Sequence, residues 1–355
     1  MIPLRIRFFL GLIPFALHAQ DTTQVYPWRL SYFPYITASP NDGVMGLGRV
    51  VFFRQSRWDD RVSLHDEVAI EGGYSTKDAW LVRARGDFPR IAPGWRLQVI
   101  GQAGKEASYF EDVPATRQAA SVEITRRLIG PLSVTLRGDA THVSYDNVNS
   151  YAGTTGTVSQ SDFRGRVAFV LDQRDREYDT RSGSLVQVGG YITSSKRVTG
   201  EYVLVSGWLP LDKTTRLTAR AGVRLTSSNS GELGRTLPAW EDGLVLGGGP
   251  QSNRALPVAA RIEKKMYLVS VEIRHDLFTF PGGAFGVLAF VDGSGLDCDC
   301  IRLIDTPGPI VPTSEWTFGP GAGVSLRLLR NAILTATIAH GAGATRVYVS
   351  SGWSW

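Results

Sequence analysis

Long apolar runs are what this sequence lacks most plainly. Beyond its first twenty residues no stretch approaches the roughly 18 consecutive apolar residues that a membrane-spanning helix requires, so a helical membrane protein is excluded. The chain also lacks a GxSxG elbow, an HExxH pair and a Walker-type glycine loop, which removes the sequence signatures of the common hydrolases, zinc peptidases and nucleotide-binding folds. Cysteine is confined to Cys298 and Cys300. Two thiolates are too few for a structural zinc site, and cysteines this close rarely reach relaxed disulfide geometry. That leaves a surface loop with incidental thiols, or a strained local or intermolecular bridge. Lysine is scarce too: apart from Arg5 and Arg7 there are six lysines against thirty arginines, a bias toward fixed, fork-shaped hydrogen-bonding positions. With those two set aside, 36 basic residues face 33 acidic ones, an excess too small to argue for nucleic acid.

What is present begins with MIPLRIRFFLGLIPFALHAQ. Two arginines, an apolar core from Phe8 to Leu17 and a small residue at Ala19 follow the plan of a secretory signal peptide over 1–19, cleaved near Gln20. Leu17 at the third position before the cut is atypical and loosens the exact cleavage point. Residues 20–28 are then expected as a short segment before the first strand, and 29–355 as a single domain.

From Arg29 onward, apolar and polar residues alternate with period two. In 132–142, Leu132, Val134, Leu136, Gly138 and Ala140 oppose Ser133, Thr135, Arg137, Asp139 and Thr141. Such strands suit a soluble sandwich or a membrane barrel whose charged face meets the lumen. Candidate strands fall at 29–37, 43–53, 65–74, 79–87, 95–110, 119–128, 132–143, 163–172, 184–193, 200–209, 215–226, 266–276, 283–291, 317–328, 332–339 and 346–355. Their number is sixteen, and even. The spacing predicts short connections (IGP, DKT, FPGG, RN) at one end and long ones (144–162, 227–265, 292–316) at the other, an asymmetry expected of a closed outer-membrane barrel. The last strand ends on Trp353 and Trp355, aromatic residues suited to the membrane interface and to a C-terminal assembly signal.

Several segments in order resemble the BamA/TamA-like outer-membrane assembly factors, the bacterial surface antigen family. SPNDGVMGLG (39–48) resembles the first hairpin of that family, and DQRDREYDTRSG (172–183) its strand-end motif, placing Asp172, Arg174, Asp175 and Gly183 in that role. MYLVSVEIRHDLF (266–278) and GVLAFVDGSG (286–295) resemble its twelfth and thirteenth strands. The resemblance implies an all-β, 16-stranded antiparallel transmembrane barrel in the bacterial outer membrane, with a long sixth outside loop folded into the lumen. It also implies that an arginine of that loop pairs with acids on the twelfth and thirteenth strands. Here those residues are Arg254, Glu272 and Asp292. Alternation independently turns Glu272 and Asp292 inward, because Val269, Val271, Ile273, Val287, Ala289 and Val291 take the outer face. The chain departs from the family in two places: Ala255 and Leu256 replace the Gly-aromatic pair after the arginine, and no periplasmic POTRA module is expected before the barrel.

The function implied is insertion or translocation of proteins at the outer membrane without catalytic chemistry, cofactor or metal. Lipid, unfolded outer-membrane or exported clients, and a separate periplasmic delivery protein are the expected partners. A passive pore is the alternative, with inward Arg83, Arg85, Arg137, Arg216, Arg220 and Arg224 favouring anions. An enzyme is a weaker third reading, since His65, His142, His275 and His340 lie in or beside strands without a nucleophile constellation.

Overall fold

A computed structural model describes residues 26–351 apart from 57–59, 63, 111–112, 150–154, 195–198, 228–248, 257–264, 299–312 and 329–331. The strands are β1 (Arg29–Ser39), β2 (Gly43–Gln55), β3 (Leu64–Ser75), β4 (Trp80–Ala92), β5 (Trp95–Phe110), β6 (Val113–Ile129), β7 (Leu132–Asn149), β8 (Thr155–Asp172), β9 (Gly183–Thr193), β10 (Thr199–Pro210), β11 (Thr215–Thr226), β12 (Lys265–Phe280), β13 (Gly283–Cys298), β14 (Thr313–Leu328), β15 (Ala332–Gly341) and β16 (Ala344–Ser351). Each pairs antiparallel with its sequence neighbours, and β16 returns to β1 to close the barrel.

Alternation dictates which side chain meets which medium. On β12, Val269, Val271 and Ile273 are exposed while Ser270, Glu272, Arg274 and Asp276 are buried. On β7, Leu136 is exposed while Thr135 and Asp139 are buried. Polarity is thus inverted relative to a water-soluble domain: the outer surface is apolar and the interior holds the charges, as a bilayer solvent demands. Two aromatic groups bound the outer belt on this side of the barrel. Tyr267, Trp316 and Phe318 stack near one rim, and Phe278, Phe280 and Phe285 cluster near the other. The span along β12 from Tyr267 to Phe278 is roughly 36 Å at the usual rise per residue, or roughly 28 Å along the axis at a ~40° tilt, which matches a hydrocarbon core.

The closure is uneven. β15 and β16 pair from Leu334 opposite Ser351 through Gly341 opposite Ala344, and β1 and β2 pair along all of β1. Between β1 and β16 the described residues give one opposed pair, Ala38 and Val349.

Three sequence expectations change. Residues 144–162 are not a long loop: β7 runs on to Asn149 and β8 starts at Thr155, with Ser144 opposite Ser159. This stretch rises past the apolar belt, so its outer face no longer needs apolar residues while its backbone ladder continues. For the same reason β13 extends to Cys298, which sits opposite Thr313 in the sheet rather than in a loop. Finally, the connections do not sort cleanly by length. The end bearing the β11–β12 connection (the upper end) also has the tight turns at 40–42 and 342–343, while the opposite, lower end has the longer β2–β3 and β8–β9 connections. Residues 1–25, Cys300, Trp353 and Trp355 lie outside the described residues.

The tight lower turns are locally built. In the β10–β11 turn, Asp212 accepts the backbone N–H groups of Thr214 and Thr215, each at 2.7 Å, and the Thr214 hydroxyl at 2.8 Å. Those bonds, led by the Thr214 N–H, hold its carboxyl well below the usual carboxylate range.

Val271 projects outward near mid-belt and is 50% exposed. Val271→Arg is expected to lower unfolding stability in lipid vesicles by roughly 2–4 kcal/mol. A change no larger than that of Val271→Ala would contradict the lipid-facing placement.

Candidate functional site

Residues 249–256 form a self-bonded turn. Gly249 N donates to the carbonyls of Asn253 (3.1 Å) and Leu256 (3.2 Å), and Leu256 N donates to Asn253 O at 3.1 Å. Gly249 has φ of 108°, a conformation open to glycine. The Asn253 side chain accepts from Ala255 N at 3.0 Å and donates to Ser294 Oγ (3.1 Å) and Thr317 O (2.8 Å), fixing the turn to β13 and β14.

Arg254 lies between two inward carboxylates. Its Nε and Nη2 fork across Asp292 at 2.7 and 3.0 Å, its backbone N–H reaches the same carboxylate at 3.0 Å, and Nη1 donates to Glu272 Oε2 at 2.5 Å. Ser270 donates to Asp292 at 2.7 Å, and Arg274 donates to the other oxygen of Glu272. The guanidinium lies over the Phe290 ring, 3.2 Å from its centroid. All three charged groups are at most 1% exposed, so each charge has lost nearly all its hydration and depends on these bonds. The strands place them simply: Ser270 on β12 faces Asp292 on β13, and Glu272 is the next inward residue.

Ala255 follows the arginine where the assembly-factor pattern has glycine. Its methyl is fully buried with Leu288, Phe290 and Ala339. It is accommodated by two bare positions: a Cβ at Gly319 would lie 2.0 Å from that methyl, and one at Gly341 2.6 Å. The next two carbonyls bind the last strand, Arg346 Nη1 donating to Ala255 O and Tyr348 Oη to Leu256 O, each at 2.5 Å. Sequence reading missed Asn253, Phe290, Gly319, Gly341, Arg346 and Tyr348. One signal was available: Gly319, Gly321 and Gly323 alternate along β14 and strip its inner face of side chains, leaving space for another backbone.

The residues of the strand-end motif gather at the lower end. Arg174 forks onto Asp172 at 2.9 and 2.8 Å, and Asp175 accepts the N–H groups of Arg181 (3.0 Å) and Ser182 (3.2 Å). Gly183 has φ of 111°, and a Cβ there would meet Gln173 O at 2.2 Å, so the turn requires glycine.

The inward arginines are not a row of unmatched positive charges. Arg83 pairs with Glu71 (3.0 Å), Arg85 with Asp87 (3.0 Å), Arg137 with Asp139 (2.7 Å) and Arg216 with Asp179 (2.7 Å). Arg220 donates to Gln251 O at 2.8 Å and Arg224 to the Met266 thioether at 2.8 Å. These partners come from several places: Asp87 and Asp139 lie two residues along the arginine's own strand, Glu71 and Met266 on the adjacent strand, and Asp179 and Gln251 in connections between strands. His65 contacts Asp66 and Arg54, while His142, His275 and His340 each meet a Ser or Thr hydroxyl.

No family model matches the sequence, and no curated protein matches it. Solved structures do. BamA from Haemophilus ducreyi lacking POTRA domains 1–3 superposes over 92% of this chain and 70% of its own, with TM-score 0.62 and 14% identity. The fold is that of the BamA barrel. CdiB from Escherichia coli matches over 92% of this chain and 66% of its own (TM-score 0.60, 14% identity), and CdiB from Acinetobacter baumannii over 92% and 65% (TM-score 0.52, 10% identity). The chain therefore spans about two thirds of the length of these BamA-like and CdiB structures.

Within this BamA-like barrel, the Ala255 pocket makes a sharp prediction. Gly319→Ala should displace residues 249–256 and lower thermal stability, and Ala255→Gly added to it should recover most of the loss. Equal loss with and without the second substitution would show that the methyl is not seated there. Arg254→Ala alone leaves two buried carboxylates short of a partner and is expected to cost roughly 3–5 kcal/mol. A double-mutant cycle of Arg254→Ala with Glu272→Gln should be non-additive by about 1 kcal/mol or more, and additive losses would mean that the two groups do not meet.

Proposed function

We propose that this chain is an outer-membrane barrel that helps other proteins insert into or cross that membrane, acting through the junction of β1 and β16. The observation that carries the reading is the junction itself, where the described residues give one opposed pair, Ala38 and Val349, while neighbouring strands are paired along their lengths. A sparsely bonded junction exposes strand edges at low cost. An incoming strand can pair with such an edge by exchanging backbone hydrogen bonds, which needs no catalytic side chain, cofactor or metal. The resemblance of segments 39–48, 172–183, 266–278 and 286–295 to outer-membrane assembly factors supports the same role, as does the fold shared with BamA.

In this reading, the β11–β12 connection folds into the lumen, and Arg254, Glu272 and Asp292 lock it to the wall. The lock sits on β12–β14, and Arg346 and Tyr348 extend it to β16. One side of the junction is thereby fixed to the loop while β1 is left to move. Clients would be unfolded outer-membrane or exported proteins, delivered by a separate periplasmic protein, and the export route would be a cleaved signal peptide over 1–19.

Two experiments test the proposal. Depletion should reduce folded outer-membrane proteins or one surface-exported client, and unaltered outer-membrane composition would refute the role. In a chain whose native cysteines are serine, an Ala38→Cys/Val349→Cys disulfide should abolish that activity until reduced. The same bridge at Val203 and Val223, opposed on β10 and β11, should leave it intact. Full activity with the β1–β16 bridge closed would rule out the junction as the working element.

A further inference from the structure

The β8–β9 connection, residues 173–182, does not simply turn at the rim. Glu177 is held by Arg96 of β5, whose Nη1 lies 3.0 Å from both carboxylate oxygens. Two residues later, Asp179 pairs with Arg216 of β11 at 2.7 Å and with Arg327 of β14. Counted around the sheet, β5 lies six strands from β11 and seven from β14, nearly opposite sides of the barrel. Ten residues therefore bind walls that face each other, which is possible only if they cross the interior.

The crossing is fixed at further points. Arg327 also donates to Asp276 of β12, and Arg181 lies 3.6 Å from the same carboxylate. Arg61, from the β2–β3 connection, pairs with Asp172, and its carbonyl accepts Glu177 N–H at 3.1 Å. Asp179 itself has φ of 49°, in the left-handed region that Asp adopts more readily than most residues with a Cβ. The exposure agrees: Thr180 is 4% exposed although it lies in a connection between strands.

Above this crossing lies a chamber of about 1090 Å³. Tyr178 and Thr180 line it from below, Pro250 and Gln251 from above, and Tyr35 and Tyr348 from the two strands of the junction. We propose that residues 173–182 are a second gate, at the lower end, and that the chamber is a compartment bounded by 173–182 below and 249–256 above, beside the β1–β16 junction. The proposal rests on the reading of 249–256 as the upper closure, and it is independent of any client. Asp179 is the positioning residue of the lower gate. Its two arginine partners hold the turn across the opening, and without its charge the turn loses its ties to β11 and β14 and stays held mainly on the Arg96 side.

Two closures in series have a distinctive conductance pattern. In planar bilayers, Arg254→Ala and Asp179→Asn should each leave the barrel nearly closed, and the double variant should conduct steadily. Asp179→Asn preserves shape and removes charge only, so folding is less at risk than with alanine, and heat-modifiable gel mobility checks it. Conduction by Arg254→Ala alone would overturn the lower gate and leave the upper closure standing. Conduction by Asp179→Asn alone would do the reverse. A double variant that folds and stays closed would also overturn the lower gate. Independently, Gln102→Cys in the chamber wall, in a chain without native cysteines, reports access. Its labelling by a sulfonated maleimide should rise about tenfold or more in Asp179→Asn, the effect of losing one charge-assisted hydrogen bond from the closed state. An unchanged rate would contradict the gate.

Discussion

A backbone that crosses a bilayer must find every hydrogen-bond partner within the protein, and the rest of this structure follows from that requirement. It forces the sheet to close, and closure creates an inside. It also hands the outer face to apolar residues, so the charged residues of each strand have only the interior to occupy. Inward arginines and acids thus become partners by geometry, as Arg83 with Glu71 and Arg137 with Asp139 do. The scarcity of lysine fits: a guanidinium can bridge two carboxylates on neighbouring strands, as Arg254 bridges Asp292 and Glu272, whereas an ammonium presents a single point of charge.

Buried ion pairs are poor sources of net stability, because desolvation offsets most of the attraction. Their value here is positional. Glu272 and Asp276, inward residues two places apart on either side of Arg274, hold different visitors: Glu272 takes Arg254 of the β11–β12 connection, while Asp276 takes Arg327 and Arg181 at the lower end. One strand, β12, thereby sets the height of both segments. Between the first and last strands the described residues give one opposed pair, so there the sheet itself is thinly joined among them. Rigidity and looseness are distributed around a single sheet by where arginine meets acid.

How much of this could be read in the sequence depended on period. β12 alternates strictly from Val269 to Arg274, so its two faces, and the inward position of Glu272, were legible residue by residue. The order and number of strands were legible for the same reason. Strand ends were not: in the sequence of 144–149 and 155–162 apolar residues no longer fall on alternate positions, yet the ladder of β7 and β8 continues there. Partners that come from distant segments were also hidden. Phe290 under Arg254, the seat at Gly319 and Gly341 for Ala255, and Asp179 between Arg216 and Arg327 depend on closure of the sheet, which brings positions dozens of residues apart into contact. No local pattern encodes those meetings, although the alternate glycines of β14 mark where one takes place.

Residues 249–256 are fixed on the β12–β14 wall, while the β1–β16 junction is loosely joined among the described residues. Amide hydrogen exchange on the barrel in lipid nanodiscs, resolved by peptide, measures this directly. Slow exchange is expected in β12, β13 and residues 249–256, and the fastest strand exchange in β1. Uniform protection around the sheet, or residues 249–256 exchanging like a solvent-exposed loop, would contradict it.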